Sequence, residues 1–388
     1  MKYIKILAAV LLVAIIALLI AKYTFNINPP LRIFESSYKG NLPLDSLELP
    51  EGFAISVYAD SVVNARSMCY SPDGTLFVGT RAEGNVYALK DTDGDMRVDK
   101  KYTLLTGGNM PNGVAYKDGH LYIAEVNRIL KIENIESKLD HPGTPIVIYD
   151  KYPTEKHHGW KYIAFGPDSK LYVPVGAPCN ICLSEDSIYA SITRINTDGS
   201  GLEIVQSGVR NSVGFDWHPI TKQLYFTDNG RDLMGDEVPE CELNYAPKDK
   251  MHFGYPYCHQ GDVPDPEFGK NQNCDQYTKP AAKLGPHTAP LGMTFYTGDQ
   301  FPAEYKNQIF IARHGSWNRS KKSGYDIVLA LLNADGTIKS TKVFIQGWLN
   351  PANDDVWGRP VDMEILPDGS LLISDDYADA IYRVYYKG

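Results

Sequence analysis

Two adjacent histidines, His157 and His158, stand before Gly159-Trp160, and Arg210-Asn211 sits inside the run Gly-Val-Arg-Asn-Ser-Val-Gly-Phe. A histidine titrates near neutrality, so its neutral ring removes a proton from a hydroxyl. Arginine offers a planar fork to a carboxylate or to an oxygen that gains charge. Other polar groups fall at comparable places: Asn112-Gly113, Asp228-Asn229-Gly230-Arg231-Asp232, Arg313-His314-Gly315 and Arg359. Backbone carbonyls in the glycine-containing turn at Gly230 and Arg231 suit Ca²⁺, a hard cation that takes oxygen ligands. An anionic cofactor with a metal and a nearby base would use all three kinds of group. A single residue of this kind is usually an ordinary loop group; recurrence in register is what singles these out.

The elements that must position them come from a repeat. A small or aromatic residue, then x-Pro-Asp-Gly-x-Leu and two apolar residues, describes a strand, a tight turn and a second strand. Tyr70-Ser-Pro-Asp-Gly-Thr-Leu-Phe-Val and Ile365-Leu-Pro-Asp-Gly-Ser-Leu-Leu-Ile are the clearest copies, with looser ones between. The hydrophobic residue after the turn falls at Leu76, Leu121, Leu171, Leu224, Ile309 and Leu371, at intervals of 45, 50, 53, 85 and 62. Spacings near ~40–50 match one four-stranded propeller blade. The expected fold is therefore an all-β, six-bladed β-propeller over residues 48–388. The early strand Phe53-Ala-Ile-Ser-Val-Tyr is expected to complete the last blade and close the ring. The long fourth interval calls for an insertion, placed at about residues 231–290. The polar clusters all fall beside these repeats, where strand ends and loops form a channel mouth.

The chain has 388 residues, 43% of them hydrophobic, which excludes disorder. A net charge of −9 makes nucleic acid an unsuitable partner. Residues 1–23 open with Lys2 and Lys5 and then run apolar from Ile6 to Ala21. This reads as a single hydrophobic helix, an uncleaved anchor or a cleaved signal, with the amino end cytoplasmic and the body exported. The expected location is periplasmic, or on the outer face of the inner membrane, with residues 24–47 as linker. In an oxidising compartment the CxxC pair Cys179 and Cys182, and the loop-closing Cys258 and Cys274, suit disulfides. A c-type haem is excluded because Leu183, not histidine, follows Cys182. A second metal candidate is the carboxylate set Asp91, Asp93, Asp95 and Asp99, spaced as in an EF-hand loop. Met96 and Tyr102 depart from that pattern, and an acidic solvated hairpin is the alternative.

The stretches His157-His158-Gly159 through Gly166-Pro167-Asp168, and Gly208 through Gly214, resemble the soluble pyrroloquinoline quinone (PQQ)-dependent sugar dehydrogenases. Thr227–Asp232, Gly235-Asp-Glu237, Leu243–Pro247, His252–Tyr257 and His314–Arg319 are more similar to the sorbosone dehydrogenase branch. The resemblance covers most of residues 48–386. It implies that His158 is the general base for a sugar hydroxyl, and that Arg210 faces the quinone oxygen that gains charge. It implies cofactor contacts for Asn211 and Arg359, with Asn112, His157 and either Arg313 or His314 replacing family residues. Gly230 and Arg231 match the turn whose carbonyls hold Ca²⁺ beside PQQ. Asp236 and Glu237 fall where related enzymes hold a structural calcium, but Phe253 replaces its partner tyrosine. The implied activity is PQQ- and calcium-dependent oxidation of an aldose or sugar aldehyde, with a separate cytochrome or quinone as electron acceptor. A calcium-dependent lactonase and a non-catalytic ligand-binding propeller are the competing readings.

Overall fold

The computed structural model describes residues 2–25 and 37–388, so residues 26–36 of the expected linker lie outside the described residues. Six sheets form the body, five of four antiparallel strands and one carrying a fifth strand that pairs parallel. Their innermost strands are Ala65–Tyr70, Gly113–Lys117, Ala164–Phe165, Phe215–Trp217, Pro290–Phe295 and Pro360–Ile365. Phe53–Ala59 pairs antiparallel with Ala380–Tyr386, so the N-terminal strand supplies the last blade's outer edge and closes the ring. The propeller expected from the repeat is the fold observed.

The repeat builds each blade through its turn. In the first blade Gly74 takes a φ of 83°, a conformation open to glycine without a Cβ penalty, and its N–H donates to the Ser71 carbonyl. The strand that follows alternates faces. Leu76 and Val78 pack towards the closing blade with Ile381, while Phe77 packs towards the second blade with Val114. Leu121, Leu171, Leu224, Ile309 and Leu371 are likewise buried on the second strands of their blades. One apolar side chain per repeat thus glues neighbouring blades.

An innermost strand is a sheet edge, and its free N–H groups need acceptors. The preceding blade supplies them as carboxylates. Asp362 accepts from the Met68 N–H at 2.9 Å, and Asp216 accepts from the Phe295 N–H at 2.8 Å.

The long fourth interval is not one insertion. Residues 231–290 contain two of the blade's own strands, Glu240–Ala246 and Ala282–Pro286. The added chain is split into the loop 229–239 and the excursion 247–281. Within the excursion, Met251–His252 joins the third blade alongside Glu203–Ser207, and Cys258 and Cys274 stand at disulfide-bonding distance with Cα atoms 5.7 Å apart. Cys179 and Cys182 also stand at bonding distance, in the loop after Leu171–Val175, whereas Cys69 and Cys241 are free thiols.

The N-terminal residues form one helix, Lys2–Phe25. Its described apolar side chains, including Leu7, Val10, Leu11 and Val13, are exposed. Among the described residues no helix is long and apolar enough to cross a membrane.

Candidate active site

Antiparallel pairing fixes which residues share a mouth. Ala65 lies opposite Thr80, Gly113 opposite Ala124, and Pro360 opposite Asp375. Residues just before a first strand and just after a second strand therefore meet at the same end of the propeller. His158, Arg210, Asn211, Gly230, His314 and Arg359 all obey that rule.

His158 sits in the loop before the third blade, with φ at 50°. Its Nδ1 lies 2.9 Å from the Ala177 carbonyl. A carbonyl only accepts, so Nδ1 carries the proton and Nε2 keeps its lone pair. Burial, and then the charges of Arg210 and His157, hold its pKa well below the usual histidine value. The ring is thus neutral at neutral pH and equipped to accept a proton. Gly176 allows this placement: a Cβ there would stand 2.6 Å from His158 Cβ and 2.8 Å from its carbonyl oxygen. The His157 ring lies 4.1 Å from that of His158, centre to centre, but is exposed.

Arg210 is buried and heavily tied. Its Nε donates to the Asn180 carbonyl and one terminal nitrogen to Asn180 Oδ1, both at 2.9 Å. The other terminal nitrogen donates to the carbonyls of Asn229 at 3.1 Å and Gly230 at 3.0 Å. Below it Asp228 accepts from the backbone N–H groups of Arg210 and Asn211, and burial raises its carboxyl to about 6. The Asn211 carboxamide lies beside Gly176, next to His158. Asn180 is the residue between Cys179 and Cys182 that makes this possible. The loop is braced in turn by the Tyr255 hydroxyl, which accepts from the Cys182 N–H at 3.0 Å. The CxxC is therefore a clamp on the site's arginine.

Across the mouth, His314 Nε2 meets Asp376 at 2.8 Å, and Arg66 donates to the other Asp376 oxygen at 2.6 Å. Burial drives Asp376 up, but His314, Arg66 and Arg359 together hold it far below the carboxylate range. Burial and Arg359 push His314 down to about 4 despite that partner. Arg359 donates to the carbonyls of His314 and Gly315 at 3.1 and 3.0 Å. Arg81 lies over the Trp160 ring, 4.2 Å from its centre. Lys161 is buried beneath, donating to the Gly159 carbonyl at 3.3 Å, and burial lowers it to about 7.

The structure gives several of the expected site residues partners within the fold. The Asn112 carboxamide is buried and spent within the fold: it accepts from Arg66 at 2.6 Å and donates to Ser67 and to the Lys161 carbonyl. Arg313 is locked by a two-pronged pair with Asp326 and a bond to the Leu284 carbonyl, leaving His314 as that blade's group at the mouth. Asp236 and Glu237 bind Arg319 and Ser320 rather than converging on a metal, and Phe253 packs edge-on against Phe226 in the core. The Gly230 carbonyl accepts from Arg210, while the Arg231 side chain turns away to Asp265 at 2.5 Å. In the acidic loop Asp91, Asp93 and Asp99 carry ligand oxygens within 4.8 Å of one another. Asp95 stands outside that group and accepts from the Arg97 N–H.

Sequence reasoning missed Arg66, Arg81, Asn180, Lys161 and Asp376. The signal for two of them was present. Arg81 and Asp376 follow second strands, in the same register as Asn229 and His314.

A larger cavity, about 580 Å³, opens at the opposite mouth between Asp216, Lys222, Thr294, Asp299, Glu364 and Asp368. Volume does not locate the chemistry here. Asp216 is committed to the neighbouring strand, and no histidine lines that cavity.

Residues 47–387 match the TrAA12-like family model. The chain belongs to the TrAA12-like family. An uncharacterised protein of Borreliella burgdorferi is 34% identical over 364 residues, which is 88% of this chain and 91% of that protein. A PQQ-dependent pyranose dehydrogenase of Coprinopsis cinerea is 34% identical over 154 residues, which is 31% of this chain and 20% of that protein. Among solved structures, the Trichoderma reesei carbohydrate-active enzyme of family AA12 superposes with a TM-score of 0.77 at 19% identity, covering 90% of this chain and 100% of the other. The holo PQQ domain of the Coprinopsis cinerea pyranose dehydrogenase gives 0.74 at 16% identity, covering 90% and 98%. At these identities the structural likeness speaks for the fold, and it agrees with the family resemblance drawn from the motifs.

Proposed function

We propose that this TrAA12-like propeller is a PQQ-dependent oxidoreductase that oxidises a carbohydrate at a hydroxyl or aldehyde carbon, assisted by calcium. One observation carries the reading: a neutral histidine with a free Nε2 faces a mouth walled by Arg66, Arg81, Arg210 and Arg359. PQQ is a planar tricarboxylate. A mouth lined by four guanidinium groups suits it; Asp376 answers Arg66, with His314 on its other oxygen, and Asp232 stands 3.6 Å from Arg210. Arg359 and Asn211 would hold the cofactor, with His314 beside them. The Gly230 and Arg231 carbonyls match the family's calcium turn and would hold the ion, and the Gly230 oxygen accepts from Arg210. Calcium there would polarise the cofactor as a Lewis acid.

Bound PQQ supplies a two-electron acceptor for the substrate's hydride. His158 takes the proton from the substrate hydroxyl at Nε2, while the Ala177 carbonyl keeps its tautomer fixed. Arg210, held in place by Asn180 and the 229–230 carbonyls, stabilises negative charge that develops in front of it. Because those partners are protein groups already in position, the guanidinium needs no reorganisation during the reaction.

Related proteins named as pyranose and aldose sugar dehydrogenases support a sugar substrate. A sorbosone-like aldehyde is the alternative substrate. Electrons leave to a separate cytochrome or quinone. Asp91, Asp93 and Asp99 form a second calcium site with a structural role. Export, with the N-terminal segment tethering the propeller at a membrane, rests on the lysine-flanked apolar run Ile6–Ala21. The test is reconstitution of the full chain with PQQ and Ca²⁺, followed by dye reduction with a broad panel of aldoses and aldehydes. Turnover with at least one is expected, and inactivity across the panel sinks the reading.

A further inference from the structure

Each arginine at the active mouth except one spends its guanidinium on protein acceptors. Arg210 reaches Asn180, Asn229 and Gly230; Arg66 reaches Asn112 and Asp376; Arg359 reaches two carbonyls. Arg81 differs. Its backbone N–H donates to Asn64 at 2.9 Å, but among the described residues its guanidinium has no hydrogen bond or ion pair. Its Cζ lies over the Trp160 ring, 4.2 Å from the ring centre, and the side chain is partly buried.

Its charged neighbours are unfavourable. Arg66 and Arg359 both disfavour its charge, and the single attractive group, Asp376, is already shared between Arg66 and His314. Burial and those two cations lower Arg81 to about 10, which still leaves it charged at neutral pH. A half-buried cation with five unused N–H donors is costly unless something outside the fold answers it. Beside it, Trp160 Nε1 is a buried donor without a partner. The Trp160 ring is fixed by Val213, Leu291 and Val361, and its centre lies 6.2 Å from that of His158. Two unanswered donors, one of them cationic and stacked on an aromatic face, therefore flank the base.

Resting on the PQQ reading above, we infer that Arg81 is a cofactor-binding residue, which takes a carboxylate of PQQ while the Trp160 ring supports the guanidinium from one side. Arginine suits this role better than lysine because its planar fork both stacks on the ring and matches a carboxylate with two donors. This also explains why the fold tolerates the cation without a partner. Its energetic return comes only on binding.

The test titrates PQQ, with Ca²⁺ present, into cofactor-free full-length protein and follows tryptophan fluorescence. Wild type is expected to be quenched saturably. Arg81→Gln is expected to weaken PQQ binding at least tenfold, with Arg81→Lys in between. Trp160→Phe is expected to lose the largest part of the quenching. Thermal unfolding of the cofactor-free variant separates binding from folding. Arg81→Gln removes repulsion with Arg66 and Arg359, so its unfolding temperature should equal or exceed that of wild type. PQQ should then raise it less than it raises wild type. Binding by Arg81→Gln within twofold of wild type overturns this inference alone. A wild type that fails to bind PQQ takes down the cofactor reading and this inference with it.

Discussion

The two mouths of the propeller are built from the same repeat and present opposite kinds of ionisable group. At one, strand ends present Arg66, Arg81, Arg210 and Arg359 around His158. At the other, the turns and inner strands present Asp216, Asp299, Glu364 and Asp368 around the larger cavity. The acids have a structural occupation. Asp216 accepts from the next blade's inner strand, as does Asp362 deeper in the axis. The arginines differ because one of them, Arg81, has no internal occupation. Charge that closes hydrogen bonds within the fold is architecture, and among the mouth arginines Arg81 is the one left unanswered.

Breaking the active mouth gives the largest effect. His158→Ala should lower kcat by roughly 10²–10⁴, the usual scale for a general base, while PQQ stays bound. Loss of PQQ with turnover per bound cofactor unchanged would contradict the assigned role. Next is the support beneath the base. Gly176→Ala forces a Cβ into His158 and should cost roughly 10² in kcat through misplacement, with PQQ affinity little changed. An unaltered kcat would show that the loop yields at no cost.

The acidity of the base sharpens the same contrast. Its pKa is depressed by burial and by Arg210, so the competent neutral form persists below the ordinary histidine range. The acid limb of kcat/KM should therefore fall below pH ~6.5, the unperturbed value, and a limb at or above it would contradict the burial argument. At the opposite mouth the sign reverses. Burial raises Glu364 to about 8 and Asp362 to about 7, against ordinary values near 4. A raised carboxyl pKa favours the folded state fully below the unfolded pKa and loses that contribution as pH rises through the folded one. Wild type should lose several degrees of unfolding temperature between pH 5 and about pH 8, and Glu364→Gln should flatten that decline. Catalysis by Glu364→Gln should be unaffected, the smallest effect of the set.

The fold was legible because a propeller writes its period into the chain. Leu76 through Leu371 mark six second strands, and the surplus strand Phe53–Ala59 has no place except the closing blade. The insertion was less legible. Its Pro- and Cys-rich composition hides Glu240–Ala246 and Ala282–Pro286, whose alternation is short and interrupted. At the site, register brought out the His157-His158 pair, Arg210 and Arg359, since strand ends converge wherever the period holds, and the family resemblance singled out His158. Register does not reveal which polar groups are already spent. Asn112 and Arg313 looked like ligand contacts, yet Arg66 and Asp326 consume them. Arg81 stands in the same register after its second strand, yet nothing local says that its guanidinium is unanswered.

The most direct test of the redox assignment is the absorption spectrum of the PQQ- and Ca²⁺-loaded protein, taken before and after adding sugar in the absence of an acceptor. Conversion of the oxidised cofactor band to the reduced one by at least one sugar or aldehyde, abolished in His158→Ala, is the predicted result. A cofactor spectrum that no sugar or aldehyde changes would contradict the account.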